Sequence, residues 1–348
     1  MGKIKIQNKI IGEKHPVFII AEAGVNHNGS LKTAKKMVDA AQNAGADAIK
    51  FQTFNAEKLV SINAPQAKYQ KKNSPEKDQY TMLKKLELSY SEFRELSGYC
   101  RKKGMIFLST PFDDESAEFL SSIGMAAFKI SSGDLTNLPF IKKISGLGKP
   151  VILSTGMATL SEVRKAVRVV SSAGNNKLVL LHCTSNYPVR YDEVNLTAML
   201  TLKREFGFPS GYSDHTEGIE VSVAAVALGA CMIEKHFTLN RKMEGPDHKA
   251  SIELGELRDL VSSIRNVERA IGSGVKVPAK SEKNVMAAAR KSIVAGIDIN
   301  KGERVTKNML AIKRPGNGIP PSELYKLIGR KTKRAINKDT LMSWKDLS

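Results

Sequence analysis

The chain has 348 residues, 41% of them apolar and 26% charged, which is the make-up of a soluble globular protein with room for one large domain and a smaller one. No apolar run reaches the roughly 18–20 residues of a membrane span, and the opening stretch "MGKIKIQNKIIGEKHPVFII" has no apolar core ahead of a small-residue cleavage site, so the expectation is no membrane and a cytoplasmic location. The net charge is +19, of which +9 falls in residues 281–348 (15 Lys/Arg against 6 Asp/Glu), yet the basic residues are scattered and no helix-turn-helix, zinc-finger or RNP motif accompanies them, which argues for a solvated basic surface that attracts anionic substrates and against nucleic acid.

Eight short β-rich runs follow one another along the chain, at 17–24, 47–54, 105–110, 126–134, 150–156, 177–185, 209–215 and 231–237. Amphipathic stretches separate them. Three of these are 30–45, 159–174 and 253–272, the last with Leu257, Leu260, Val261, Ile264 and Val267 near one helical face. Thr159 or Ser161, with Glu162 close by, offers a capping-box start to the second. Strands joined through helices pair in parallel, and eight such units over about 250 residues are the count of a (β/α)8 TIM barrel. The rival is a doubly wound open sheet, but no GxGxxG follows the first strand, and "SGLGKP" at 145–150 has neither the spacing nor the position of a P-loop.

Residues 55–90 are too long and polar for an ordinary connection, and two readings stand: a lid over the barrel mouth, or a surface loop without function. The barrel domain is assigned to 1–271 and a linker to 272–289. A small β-rich domain at 290–348 follows, near the lower size limit for folding alone. The three cysteines, Cys100, Cys183 and Cys231, are odd in number and irregularly spaced, which suits reduced thiols rather than a disulfide frame or a zinc cluster.

In a barrel of this kind the residues at strand C-termini form the site. Here they include Glu22, Asn26 and His27; Lys50, Gln52 and Thr53; Ser109 and Thr110; Lys129, Ser131, Ser132 and Asp134; Ser154 and Thr155; His182, Thr184, Ser185 and Tyr187; Ser213, Asp214 and His215; and Glu234 and His236. Lys50 and Lys129 end apolar runs, where a buried ammonium is costly unless an anion meets it. With the hydroxyls around them they suit a ligand carrying phosphate and carboxylate, and the plainer alternative is that they snorkel to water. His215 and His236 end the last two strands, and Glu22 lies on the first strand, beside the eighth in a closed ring. Two neutral imidazoles there can hold a divalent ion while leaving most of its positions open. In "RKMEGPDHKASIE", Asp247 and His248 could grip hydroxyls of a polar substrate, or His248 could serve as a third ligand.

The stretches "IIAEAGVNHNGSLKTAKKMVDAAQNAGADAIKFQTF", "FKISSGD", "ILSTGM", "LHCTSNYP", "GYSDHTEG", "IEKHFTL" and "GPDHKAS" resemble the sialic acid synthase family, enzymes that condense phosphoenolpyruvate to make nonulosonic acids. The last 60 or so residues, with "KRPGNGIPP", resemble that family's SAF (antifreeze-like) domain. The likeness is collinear over almost the whole chain and weakens at 55–90 and 272–289.

The resemblance implies a TIM barrel with a C-terminal β-clip, and a homodimer whose C-terminal domains are swapped. It implies condensation of phosphoenolpyruvate with N-acetylmannosamine and water to N-acetylneuraminate, with phosphate leaving by C–O cleavage. A 2,4-diacetamido-2,4,6-trideoxyhexose leading to N,N'-diacetyllegionaminate or pseudaminate is the alternative acceptor, and a carbohydrate-binding protein is the non-enzymatic one. By matching positions, His215 and His236 hold manganese, with magnesium or cobalt as substitutes. Lys50, Gln52, Thr110, Lys129, Ser132 and Ser154 hold phosphoenolpyruvate. Glu22, Tyr187 and Asp247 hold sugar hydroxyls, Arg314 meets the sugar's N-acetyl group, and Glu234 orients water or acts as acid/base, with the choice between Glu22 and Glu234 for that task left open.

Overall fold

The computed structural model describes residues 2–348, in two compact units, one ending at Gly272 and the other running from Ser273 to Ser348. In the first unit all eight apolar runs form strands: β3 (Phe18–Gly24), β4 (Ala48–Thr53), β5 (Ile106–Pro111), β6 (Phe128–Ile130), β7 (Val151–Ser154), β8 (Leu178–Cys183), β9 (Ser210–Asp214) and β10 (Met232–His236). They form one parallel sheet in the order β5-β4-β3-β10-β9-β8-β7-β6. The first and last strands of the chain's series, β3 and β10, pair with His236 opposite Glu22. The two ends, β5 and β6, lie side by side, so the sheet is a nearly closed TIM barrel.

Local signals place the helices around it. Ser30 accepts from the N–H of Thr33 to start α1 (Leu31–Ala44), and Gly45 ends it in the left-handed region. Of the two candidate caps, Thr159 starts the helix Leu160–Ser172 in a full capping box with Glu162, and Ser161 lies inside the first turn. The helix Leu254–Ile271 buries Leu257, Leu260, Val261 and Ile264 against the barrel.

The period-two alternation of the strands divides the core. Phe18, Ile20, Ala48, Ile106, Leu108, Ile152, Val179, Leu181 and Met232 share the interior of the barrel's lower end. Ile19, Ala21, Ile49, Phe51, Phe107, Val151, Leu153 and Ile233 face the helices.

An antiparallel hairpin, β1 (Ile4–Ile6) and β2 (Lys9–Ile11), was not anticipated, since the sequence reading begins its strands at residue 17. Ile4, Ile6 and Ile11 join the interior cluster and plug the end of the barrel opposite the strand C-termini. Lys9 ties the hairpin to Asp47, which also accepts from the N–H of Ile19 and from Arg265.

The 55–90 segment folds as three short helices, α2 (Ala56–Leu59), α3 (Lys68–Asn73) and α4 (Gln79–Leu86), before the helix Tyr90–Lys102 begins. Ala56, Met82, Leu83 and Leu86 build a satellite core with Val25 and Phe54. The segment is thus anchored on the C-terminal side of the barrel and is not an unpacked surface loop. The stretch read as a linker contains a helix, Lys283–Ala289, none of whose residues is buried.

The second unit pairs Ser292–Ala295 antiparallel with Leu310–Lys313 around a core of Ile293, Ile299, Val305, Ile319, Leu327, Ile336 and Met342. No described helix is long and apolar enough to cross a membrane.

Ile6 is fully buried in the plug and remote from the strand C-termini. Ile6→Ala should cost about 2–5 kcal/mol in denaturant unfolding. Any ligand binding at the other end of the barrel should be unchanged at 25 °C.

Candidate active site

Within each strand the inward-facing positions change from apolar to polar toward the C-terminal end. Phe18 and Ile20 give way to Glu22, Ala48 to Lys50 and Gln52, Leu108 to Thr110, Ile152 to Ser154, and Met232 to Glu234 and His236. These polar ends open into one cavity of about 480 Å³. It gathers Glu22, Lys50, Gln52, Thr110, Lys129, Ser132, Ser154, Tyr187, His215, Glu234, His236 and Asp247. Arg314 is exposed on the second unit.

Four charges lie at the floor. Lys50 is 2.5 Å from Glu22 and 3.7 Å from Glu234, and Lys129 is 3.6 Å from Glu234. None of the four is more than 4% exposed. Taking charges of this size out of water costs several kcal/mol each unless partners compensate. Lys50 also donates to Thr110 at 3.1 Å, and Ser213 donates to Glu234 at 3.2 Å.

The two carboxylates respond oppositely. Burial, with the Glu234 charge, outweighs Lys50 and lifts Glu22 to about 7. At Glu234 burial acts the same way, but Lys129 and Lys50 together outweigh it and hold the group below the ordinary range. Burial lowers Lys129, whereas at Lys50 the two carboxylates overcome burial and raise it. The cavity therefore holds one carboxyl near neutrality and one kept ionised, the pattern of an acid and a base.

Above the floor the His215 and His236 ring centroids are 5.5 Å apart. Tyr187 packs against both, at 4.1 and 5.6 Å, and Tyr69 of α3 packs on Tyr187 at 5.1 Å. Nδ1 of His215 donates to the carbonyl of Thr184 at 2.8 Å, so that in the neutral ring Nε2 carries the lone pair. Burial, reinforced by His215, keeps His236 neutral, and its buried Nδ1 has no partner among the described residues. The backbone opens beside them at Gly24, at φ +52°, where a Cβ would lie 3.4 Å from both Glu22 Oε1 and His236 Cε1. At His215 burial acts downward, but Cys183 overcomes it and raises the group. The two imidazoles, one with an orphaned nitrogen, beside a carboxylate fit a divalent ion once His215 has given up its proton. No group of three or more His, Cys, Asp or Glu with ligand geometry occurs among the described residues.

His248 does not join them. Its Nδ1 accepts from Thr238 at 2.7 Å and its Nε2 donates to Asn28 at 3.1 Å, so the third-ligand reading fails for want of a free nitrogen. Other polar strand ends turn away from the cavity. Thr53 bonds Ser109 at 2.7 Å, His182 bonds the Val194 carbonyl at 2.7 Å, and Asn26 bonds Phe237 and Ser251.

The sequence reading missed other parts of the wall. Cys183 lines the cavity, 3.7 Å from His215, and period-two counting along "LVLLHC" would have found it. Leu59, Val60, Tyr69, Met82, Leu83 and Leu86 of the 55–90 segment form an apolar side, which no strand-end rule could supply. A Cβ at Gly156 would meet Ser185 Oγ at 2.3 Å and Ser132 Oγ at 2.8 Å, so a side chain there would displace both hydroxyls.

A barrel that collects buried lysines, hydroxyls, two carboxyls and an imidazole pair at its C-terminal mouth is built to handle an anionic substrate. Comparison with known proteins gives the class a family. The NeuB family model matches residues 37–276 and the SAF domain model matches 290–348, and the chain belongs to the NeuB family of sialic acid synthases. It is 47% identical over 341 residues to the N,N'-diacetyllegionaminic acid synthase of Legionella pneumophila, covering 97% of this chain and 96% of that one. It is 38% identical over 331 residues to the human N-acetylneuraminate-9-phosphate synthase, covering 94% and 92%. The crystal structure of the N-acetylneuraminic acid synthetase of Leptospira borgpetersenii, in complex with citrate, superposes with a TM-score of 0.73 at 38% identity, over 82% of this chain and 95% of that one.

Burial raises Asp247, on the rim, to about 6. An acid whose folded value lies above its unfolded one favours the fold at low pH and loses that contribution as pH rises through the folded value. Asp247→Asn should therefore melt higher than the parent at pH 8, with the difference shrinking toward pH 4. A difference in melting temperature that does not change with pH would contradict the assignment.

Proposed function

We propose that this protein is a nonulosonic acid synthase that joins phosphoenolpyruvate to an open-chain N-acylated aminosugar, with water entering and phosphate leaving. The observation that carries this is the set of buried polar atoms left without partners in one cavity: Ser154 Oγ, Glu234 Oε2 and His236 Nδ1, around two buried lysines. Such groups are otherwise satisfied in folded proteins, so a polar ligand is their natural complement.

Lys50 and Lys129, with Gln52, Thr110, Ser132 and Ser154, would bind the phosphate and carboxylate of phosphoenolpyruvate. His215 and His236 would hold a divalent ion, manganese first and magnesium or cobalt as substitutes, which when bound supplies Lewis-acid polarisation of the acceptor aldehyde. Tyr187 and Asp247 would orient the sugar. As C3 of the enol attacks the aldehyde carbon, Glu22, which titrates near neutrality, would give its proton to the aldehyde oxygen. Water then adds at C2, and the ionised Glu234 takes its proton. As C2=O forms, the new hydroxyl gives its proton to the departing phosphate and the C2–O bond to phosphate breaks. We extend the proposal to Arg314, which would meet the acceptor's acetamido group in a homodimer with exchanged C-terminal units.

The acceptor we favour is a 2,4-diacetamido-2,4,6-trideoxyhexose. Identity to the legionaminic acid synthase is 47% against 38% to the N-acetylneuraminate-9-phosphate synthase. The apolar wall of Leu59, Val60, Met82 and Leu83 also suits a sugar whose C6 is a methyl and whose C4 hydroxyl is replaced by an acetamido group.

Phosphate release with manganese, scored by product mass, tests both parts. The acceptors are the manno-configured diacetamido sugar, its altrose-configured relative and N-acetylmannosamine. The first should exceed N-acetylmannosamine in kcat/KM by at least about tenfold, from a lost methyl-scale fit of 1–3 kcal/mol. Preference for N-acetylmannosamine would overturn the acceptor but keep the reaction. A folded protein inactive with all three would favour a carbohydrate-binding role.

A further inference from the structure

The strands that carry the imidazoles also carry a buried ion pair that the proposed chemistry does not use. Asp214 precedes His215, Lys235 precedes His236, and the two are register partners in the β9–β10 ladder. By strand alternation both side chains face away from the cavity, toward the helix Glu220–Ala227, and both are no more than 2% exposed. Lys235 Nζ donates to Asp214 Oδ2 at 2.8 Å and to the carbonyl of Thr216 at 2.9 Å. One ammonium thus grips the chain on both sides of His215. Asp214 Oδ1 accepts from the N–H of Thr216 at 2.8 Å and from its hydroxyl at 2.7 Å, and Oδ2 accepts from Ser222 of the helix at 2.6 Å.

The rest of this outward layer is mostly apolar, with Ile233 and Tyr212 as the neighbours along the two strands. Well-packed apolar side chains hold a fold as well as, or better than, a buried ion pair, so stability alone is a weak reason for this one. Its bonds give a different reason. Two of them hold the backbone N–H and carbonyl of Thr216, directly after His215, and the ion pair itself joins the residues that directly precede the two imidazoles.

We propose that Lys235 and Asp214 are positioning residues that fix the spacing and orientation of His215 relative to His236. This rests on the reading of the two histidines as metal ligands, and outer partners of ligands commonly set metal affinity.

The test uses the full-length double variant Lys235→Met/Asp214→Asn, which removes both charges and keeps an acceptor for the Thr216 N–H. Mn2+ binding is followed by the electron paramagnetic resonance of free Mn2+, and phosphoenolpyruvate binding by calorimetry without acceptor sugar. The expected result is Mn2+ affinity about 10–100-fold weaker, with phosphoenolpyruvate affinity within about twofold of the parent. A folded variant with unchanged Mn2+ affinity overturns the inference, as does equal weakening of both ligands, because a purely structural role would not separate them. Should the double variant fail to fold, Lys235→Arg keeps the charge but changes its reach, and the same two affinities decide. Parent protein that binds no Mn2+, or His236→Ala that binds it undiminished, overturns the ligand reading itself, which keeps the two failures distinct.

Discussion

Two lysines buried at the mouth of a barrel set the terms for much of the first unit. Lys50 and Lys129 are only 2% and 4% exposed, and an uncompensated ammonium there would cost several kcal/mol, a large part of a domain's net stability. Glu22 and Glu234 compensate them from neighbouring strands. That arrangement requires β3 to sit between β4 and β10, in the register that brings Glu22 opposite both Lys50 and His236. The closure of the sheet and the charge balance are thus one constraint. In the proposed reaction an anionic ligand would take over the lysines and free the carboxyls to carry protons.

The barrel separates stability from chemistry along its axis. Its lower interior is aliphatic and sealed by the N-terminal hairpin, while its upper interior is polar and open. Across the wall of each strand the division repeats, with apolar residues toward the helices and reactive ones inward. Lys235 and Asp214 break this pattern by placing charge on the outer side, directly behind the histidines. The 55–90 helices add an apolar wall to a cavity whose floor is charged, so that in the proposed reaction one end would take the anion and the other the body of the sugar.

Much of this was legible in the sequence. The eight β-rich runs are short but recur in order, and each is followed by a helical pattern or a loop, which leaves few topologies for a parallel sheet. The lysines and histidines at their ends stood out because such groups are rare in apolar surroundings. Which strand-end residues face inward was less plain. Thr53, Ser109, His182 and Asp214 are as polar as Gln52, Thr110, Cys183 and His215, and only strict period-two counting separates the sets. The hairpin was missed because "IKIQNKII" is too short to announce a strand pair by itself, and its burial depends on a core supplied by residues far along the chain. The compact form of 55–90 escaped for the same reason: Met82, Leu83 and Leu86 gain meaning only against Val25 and Phe54.

The central claim is that the buried lysine pair is an anion site for phosphoenolpyruvate. Calorimetric titration of phosphoenolpyruvate into the parent and into Lys129→Met, without acceptor sugar, tests it most directly. The account predicts one saturable site per chain in the parent and at least about 100-fold weaker binding in the variant, since a charge-assisted bond to a buried anion is worth roughly 3 kcal/mol or more. Equal affinity in a folded variant would contradict it and place the anion elsewhere.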